Sequence, residues 1–146
     1  MLLSGLNLFF LILLCEPLLS EETKGIPDSS TRVFFLHSYD YSFPTFQYSL
    51  EAVSEAFDSS CYLVDIQSMY GKSLNRPGYD EVFYDFFYYR WNTLPQYDFL
   101  ILGDDLAFNF YLEHKDEFFK EIPAVFFGIN DTEKALGQNK NPYCTG

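Results

Sequence analysis

The sequence predicts an α/β domain, a three-layer, doubly wound parallel sheet with the flavodoxin-like strand order 2-1-3-4. Three observations predict it. Four short, mainly apolar runs, at 33–36, 62–66, 99–102 and 123–127, are too short to be helices and suit strands in a covered sheet. Stretches of helical length separate the first four runs, and such crossovers imply parallel, right-handed pairing. The run Phe99-Leu100-Ile101-Leu102 is stopped by Gly103 and followed at once by Asp104 and Asp105, the strand-to-helix turn of an open α/β sheet.

The elements follow in chain order. Residues 1–20 contain Leu8-Phe9-Phe10-Leu11-Ile12-Leu13-Leu14 and no Lys or Arg. This short apolar core before Ser20 reads as a secretory signal lacking a basic start, or as an uncleaved membrane anchor. Glu16-Pro17 interrupts it, and a span needs roughly 20 apolar residues. Residues 21–30 are polar, with Gly25, Pro27 and two serines, and read as a linker. The domain proper is expected over 31–146.

Val33-Phe34-Phe35-Leu36 is the first buried strand. A helix follows from Pro44, which suits a first turn, with Phe46, Leu50, Val53 and Phe57 on its inner face. Asp58-Ser59-Ser60 ends it. The second strand, 62–66, carries Asp65 and is assigned to a sheet edge. Residues 68–78 form a loop marked by Gly71, Asn75 and Pro77-Gly78. A second helix spans 79–92, with Val82, Phe83, Phe86 and Arg90 near one face. It is aromatic nearly all round, so part of its surface is expected to be covered by further protein. After the third strand, a helix from Asp105 to about Lys120 presents Ala107, Phe110, Tyr111, His114 and Phe118 inward, and Asp104 is its expected N-cap. The fourth strand turns off through Gly128-Ile129-Asn130-Asp131 into a short helix over 132–136. Residues 137–146 show no periodicity.

Composition narrows the function. The net charge of −12 disfavours a nucleic-acid partner. No Cys/His cluster has zinc spacing and no metal is expected; Cys61 and Cys144 could pair in an exported protein, and the favoured reading is two small apolar residues. A Gly-rich phosphate loop is absent, so no nucleotide cofactor is expected.

In the expected strand order, the turns after strands one, three and four share one edge of the sheet. They bring together His37, Ser38, Tyr39, Asp40 and Phe43, then Asp104 and Asp105, then Asn130 and Asp131. These turns offer no lysine or arginine. A rim of Asp40, Asp104, Asp105 and Asp131 favours a cation such as the ammonium group of an amino acid, and the rings could hold an apolar side chain or a cation. The bland alternatives are that Asp104 and Asp131 are N-caps and that His37 is structural. His37, Ser38 and Asp40 have the residue types of a hydrolytic triad, but residues this close in sequence rarely reach its geometry, so no catalysis is expected. Asn130-Asp131-Thr132 fits a glycosylation sequon.

These residues also resemble a family. The strings Val33-Phe34-Phe35-Leu36-His37-Ser38-Tyr39, Phe43-Pro44, Asp98-Phe99-Leu100-Ile101-Leu102-Gly103-Asp104-Asp105-Leu106-Ala107 and Ile122-Pro123-Ala124-Val125-Phe126-Phe127-Gly128-Ile129-Asn130-Asp131 resemble the ABC-transporter substrate-binding-like family. These are periplasmic binding proteins of the type I fold. The opening resembles the branch found as extracytoplasmic sensor regions of bacterial histidine kinases and diguanylate cyclases. The resemblance implies two lobes closing on a small, amino-acid-like ligand, held against the turns named above. It departs at Gly103, where Ser is common, and at 143–146, where the family begins its next strand and crosses to its second lobe. The expectation is thus the N-terminal lobe of a periplasmic or extracellular sensor, or alternatively of a transporter's solute-binding component, with the second lobe and the signalling or transport partner outside this chain. A different class, a phosphoacceptor receiver domain, would use Asp104 or Asp105. It lacks the expected acidic pair after strand one and a Lys after a fifth strand.

Overall fold

The sheet is built outward from its first strand. The computed structural model describes residues 30–57, 61–74 and 76–146. The expected leader, nearly all of the linker and Asp58-Ser59-Ser60 lie outside the described residues. Strand β1 (Thr31–His37) pairs in parallel with β2 (Tyr62–Ser68) on one side and β3 (Phe99–Gly103) on the other. Strand β4 (Ala124–Phe127) adds to β3, and β5 (Cys144–Thr145) adds to β4. The order is 2-1-3-4-5, all parallel, with helices on both faces: a flavodoxin-like α/β fold. The four expected strands take their expected places and β2 is the edge. The fifth strand shows no period in its two residues; it falls within 143–146, where the resemblance implied that a next strand would begin.

Alternation along β1 and β3 divides the core. Phe34, Leu36, Leu100 and Leu102 face one side and pack with helix α2 (Tyr79–Thr93) and helix α3 (Asp104–His114). That layer is largely aromatic: Phe83, Phe87, Phe108, Phe110, Tyr111, Phe118 and Phe119 are all buried in it. Val33, Phe35 and Ile101 face the other side, under Val53 of helix α1 (Pro44–Ala56). A short helix α4 (Thr132–Gly137) precedes β5. Among the described residues, no helix is long and apolar enough to cross a membrane.

Three helix expectations are corrected. The inner face of α2 is Phe83 and Phe87, whereas Val82 is 65% exposed and Phe86 49%. Positions 83 and 87 repeat at one helical turn and follow the sheet, and aromatic residues all round the helix hid which stripe would win. Regular α3 stops at His114, not near Lys120. Helical bonds persist loosely, with Phe118 N donating to His114 O and Phe119 N to Lys115 O, before Glu121 takes a left-handed φ of 62° and turns the chain into β4. The N-cap of α3 is Gly103, not Asp104.

Cys61 leads into β2 at one edge and Cys144 lies in β5 at the other. Four strand spacings of about 4.8 Å separate those edges, well beyond the reach of a disulfide.

Candidate functional site

Ser38 follows β1 directly and locks the neighbouring turn. Its hydroxyl donates to Gly103 O at 2.8 Å and accepts from Ala107 N at 2.9 Å, while its own N–H also donates to Gly103 O. The last carbonyl of β3 and an early amide of α3 are thereby satisfied by one buried side chain from another strand. This is the capping work expected of Asp104, performed from a distance.

Asp104 is turned elsewhere. It holds a φ of 68°, a left-handed conformation that Asp tolerates better than most residues, and its carboxylate reaches back toward His37. His37 is fully buried. Its Nδ1 accepts from Tyr39 N at 3.0 Å, which in the neutral ring places the proton on Nε2. Nε2 makes no hydrogen bond and lies 3.5 Å from Asp104 Oδ2. Burial lowers the His37 pKa from its ordinary 6.5, opposed by the bond from Tyr39. Burial also raises that of Asp104, reinforced by Asp105 and opposed by Lys72. Each partner is thus pushed toward its neutral form. Gly103 permits the arrangement: a Cβ there would stand 2.3 Å from His37 Cδ2.

The loop after β2 closes over these turns. Met69 N donates to His37 O, Gly71 N to Ser38 O, Ser68 Oγ to Tyr39 O, and Ser73 Oγ to Asp40. At Gly71 a Cβ would lie 2.8 Å from Leu106 and 2.9 Å from Ser38 O, so the approach depends on the missing side chain. Lys72 is thereby carried to the edge, with Nζ 5.4 Å from the Tyr39 ring centre and 6.0 Å from that of Phe43. The two rings themselves pack at 4.3 Å. Between this loop and α3 lies an open cleft of ≈ 270 Å³, lined by Ser38, Tyr39, Gly71, Lys72, Tyr79, Asp80, Asp105 and Leu106.

The four carboxylates of the expected acidic rim are held by internal contacts, and of them only Asp105 lines the cleft. Asp40 is buried and turned into its own loop, accepting from Ser42 N, Ser42 Oγ and Ser73 Oγ, and these bonds hold its pKa below the ordinary value. Asp105 accepts from Asn130 through both oxygens, from the backbone N–H at 2.9 Å and from the side-chain amide, which lowers its pKa likewise. Asp131 caps α4, accepting from Lys134 N at 3.1 Å, as one of its two readings expected. His37, Ser38 and Asp40 bond to different partners, so they do not form a triad. Of the nine residues singled out, Ser38, Tyr39 and Asp105 line the cleft, Phe43 backs Tyr39, and His37 and Asp104 lie beneath. Asp40 orders the β1 turn, while Asn130 and Asp131 fasten the β4 turn to α3 and α4.

Sequence reasoning missed Lys72, Tyr79 and Asp80. Lys72 lies in the loop after the edge strand β2 and Tyr79 and Asp80 open α2, whereas the expected site drew only on the turns after strands one, three and four. Gly71 was the available signal, a glycine in a polar loop marking a close backbone approach. Comparison of the chain with protein-family models, with curated proteins and with solved structures finds no match.

Proposed function

We propose that this chain is an extracytoplasmic small-molecule-binding module, the first lobe of a periplasmic-binding-protein-like clamp. It would serve a sensor kinase or cyclase, or alternatively a transporter as its solute-binding component. The observation that carries this reading is the convergence of four chain segments on one cleft. The β1 turn, the loop after β2 and the starts of α2 and α3 supply its walls, at the carboxyl ends of parallel strands where open α/β sheets bind ligands. The walls carry aromatic faces and hydroxyls, and the carboxylates nearby are held by internal hydrogen bonds, an arrangement suited to holding a molecule. The apolar segment 8–14 followed by a polar stretch supports export.

The phosphoacceptor reading draws little from this geometry. Both oxygens of Asp105 are engaged by Asn130, and Asp104 lies over His37.

A ligand held from one side gains part of the contacts of a closed clamp, so affinity of this chain alone is expected to be weak, of order millimolar. Ligand-observed NMR against a library of small polar metabolites and amino acids tests the proposal. Binders should lose contact with the protein on Tyr39→Ala and keep it on Tyr89→Ala, since Tyr89 stands exposed on α2 outside the cleft. Binding indifferent to Tyr39, or a library without binders, would count against it.

A further inference from the structure

We propose that the cleft selects a small carboxylate-bearing molecule and that Lys72 is the residue which selects it. The inference rests on the binding reading above and concerns which chemical group that site recognises.

The charges at the edge differ from those the sequence implied. An acidic rim would call for a cation; its carboxylates keep their charge, but most of their acceptor sites are already taken within the protein. Asp40 is held by Ser42 and Ser73, Asp105 by Asn130, Asp131 by the first turn of α4, and Asp104 is turned toward His37. Lys72 is in the opposite condition. It is the one cation among the residues lining the cleft, and no carboxylate oxygen of the described residues lies within 4 Å of its ammonium group. An ammonium group has three donors and no acceptor, and here none of them is hydrogen-bonded to a described residue, although its charge acts on Asp104. This occurs in a chain with 21 acidic and 9 basic residues, where a solvent-facing lysine meets carboxylates readily.

Its position is also built in. Gly71 and Ser73, the residues on either side, are hydrogen-bonded to Ser38 O and to Asp40. The rings of Tyr39 and Phe43 lie under the ammonium group. Because Lys72 already occupies those ring faces, a ligand cation would have to displace it, whereas a ligand anion would add to it. The cleft has room for about nine waters, at roughly 30 Å³ each. That suits a small organic acid whose carboxylate meets Nζ and whose body lies along Tyr39 and Leu106. Asp80, which also lines the cleft, could meet an amino group of the same molecule.

The test uses matched pairs of probes on the full chain: benzoate beside benzamide, L-phenylalanine beside L-phenylalaninamide, and succinate beside succinamide. Saturation-transfer NMR and thermal shift are read for wild type, Lys72→Met and Lys72→Arg. At least one acid is expected to bind more tightly than its amide. Lys72→Met should weaken that acid by about tenfold to a hundredfold and erase its advantage over the amide, and Lys72→Arg should keep most of it. Because Lys72 is solvent-facing, unliganded melting temperatures of the three proteins should agree, separating lost binding from lost folding. If the amides bind as well as the acids, or Lys72→Met leaves the acid unaffected, selection by Lys72 is overturned while the cleft remains a binding site. If neither these probes nor a wider library binds, the binding reading and this inference fall together.

Discussion

Ser38→Ala separates a structural hydroxyl from a ligand-binding one, and its size follows from two distances. The wild-type hydroxyl is buried, donates to Gly103 O at 2.8 Å and accepts from Ala107 N at 2.9 Å. Removing it does not orphan Gly103 O, which keeps the Ser38 backbone N–H at 2.9 Å. The Ala107 amide is not orphaned either, because Gly103 O is its i−4 carbonyl in α3. What is lost is a buried serine cap with its two hydrogen bonds, which costs about 1 kcal/mol. At about 4 °C per kcal/mol for a domain of this size, melting should fall by about 4 °C. Urea unfolding can be followed by the emission of Trp91, the single tryptophan, whose ring lies 5.4 Å from those of Phe87 and Tyr97. The midpoint should drop with the urea slope unchanged. A loss below about 0.5 kcal/mol would refute the assignment of Ser38 to the lock between β3 and α3, given the magnitude above. Weaker ligand binding at unchanged stability would return Ser38 to the ligand.

Two further outcomes follow from the same edge. Gly103→Ala places a Cβ 2.3 Å from the buried His37 ring and should cost about 3 kcal/mol in chemical unfolding, whereas Gly137→Ala meets nothing within 4 Å in a helical conformation and should be neutral or stabilising by up to about 1 kcal/mol. The pH dependence of stability should contain a limb set by His37. Its folded pKa lies below 6.5, so as the pH falls through 6.5 the unfolded chain binds the proton first, and stability declines until the folded pKa is reached. His37→Gln should flatten that limb, by at most about 1.4 kcal/mol per pH unit, whatever it does to stability at pH 7.5.

The sheet was legible because its strands are bounded, uninterrupted apolar runs. Val33 to Leu36 and Phe99 to Leu102 could only be central strands, and Asp65 marked the edge, where it meets Arg90 and Tyr97. Helix faces were less legible where aromatics saturate the pattern. In α2 the sequence offers Val82, Phe83, Phe86 and Phe87, and only packing on Phe34 decides for 83 and 87. The site was legible as a location and less so as chemistry. Residue types pointed to an acidic rim, but hydrogen bonds spanning 2 to 33 positions decide which carboxylates are engaged. Lys72 enters the cleft through the backbone of Gly71, a close approach with no periodic trace.

Parallel pairing of the first strand with the third has a consequence for how the chain can be assembled. Val33 lies beside Phe99, sixty-six positions later, and no strand pair of this sheet can form as a hairpin. Each pairing must close a long loop before it gains anything, which places folding among the slower classes. Until the third strand arrives, the run Val33-Phe34-Phe35-Leu36 has β2 on one side and a bare edge on the other. Four consecutive apolar residues with unpaired amides are a template for a second chain. Chains stopped before Phe99 should therefore collect as aggregates, and solubility should return once the chain runs through β4, when the same residues lie in the sheet interior.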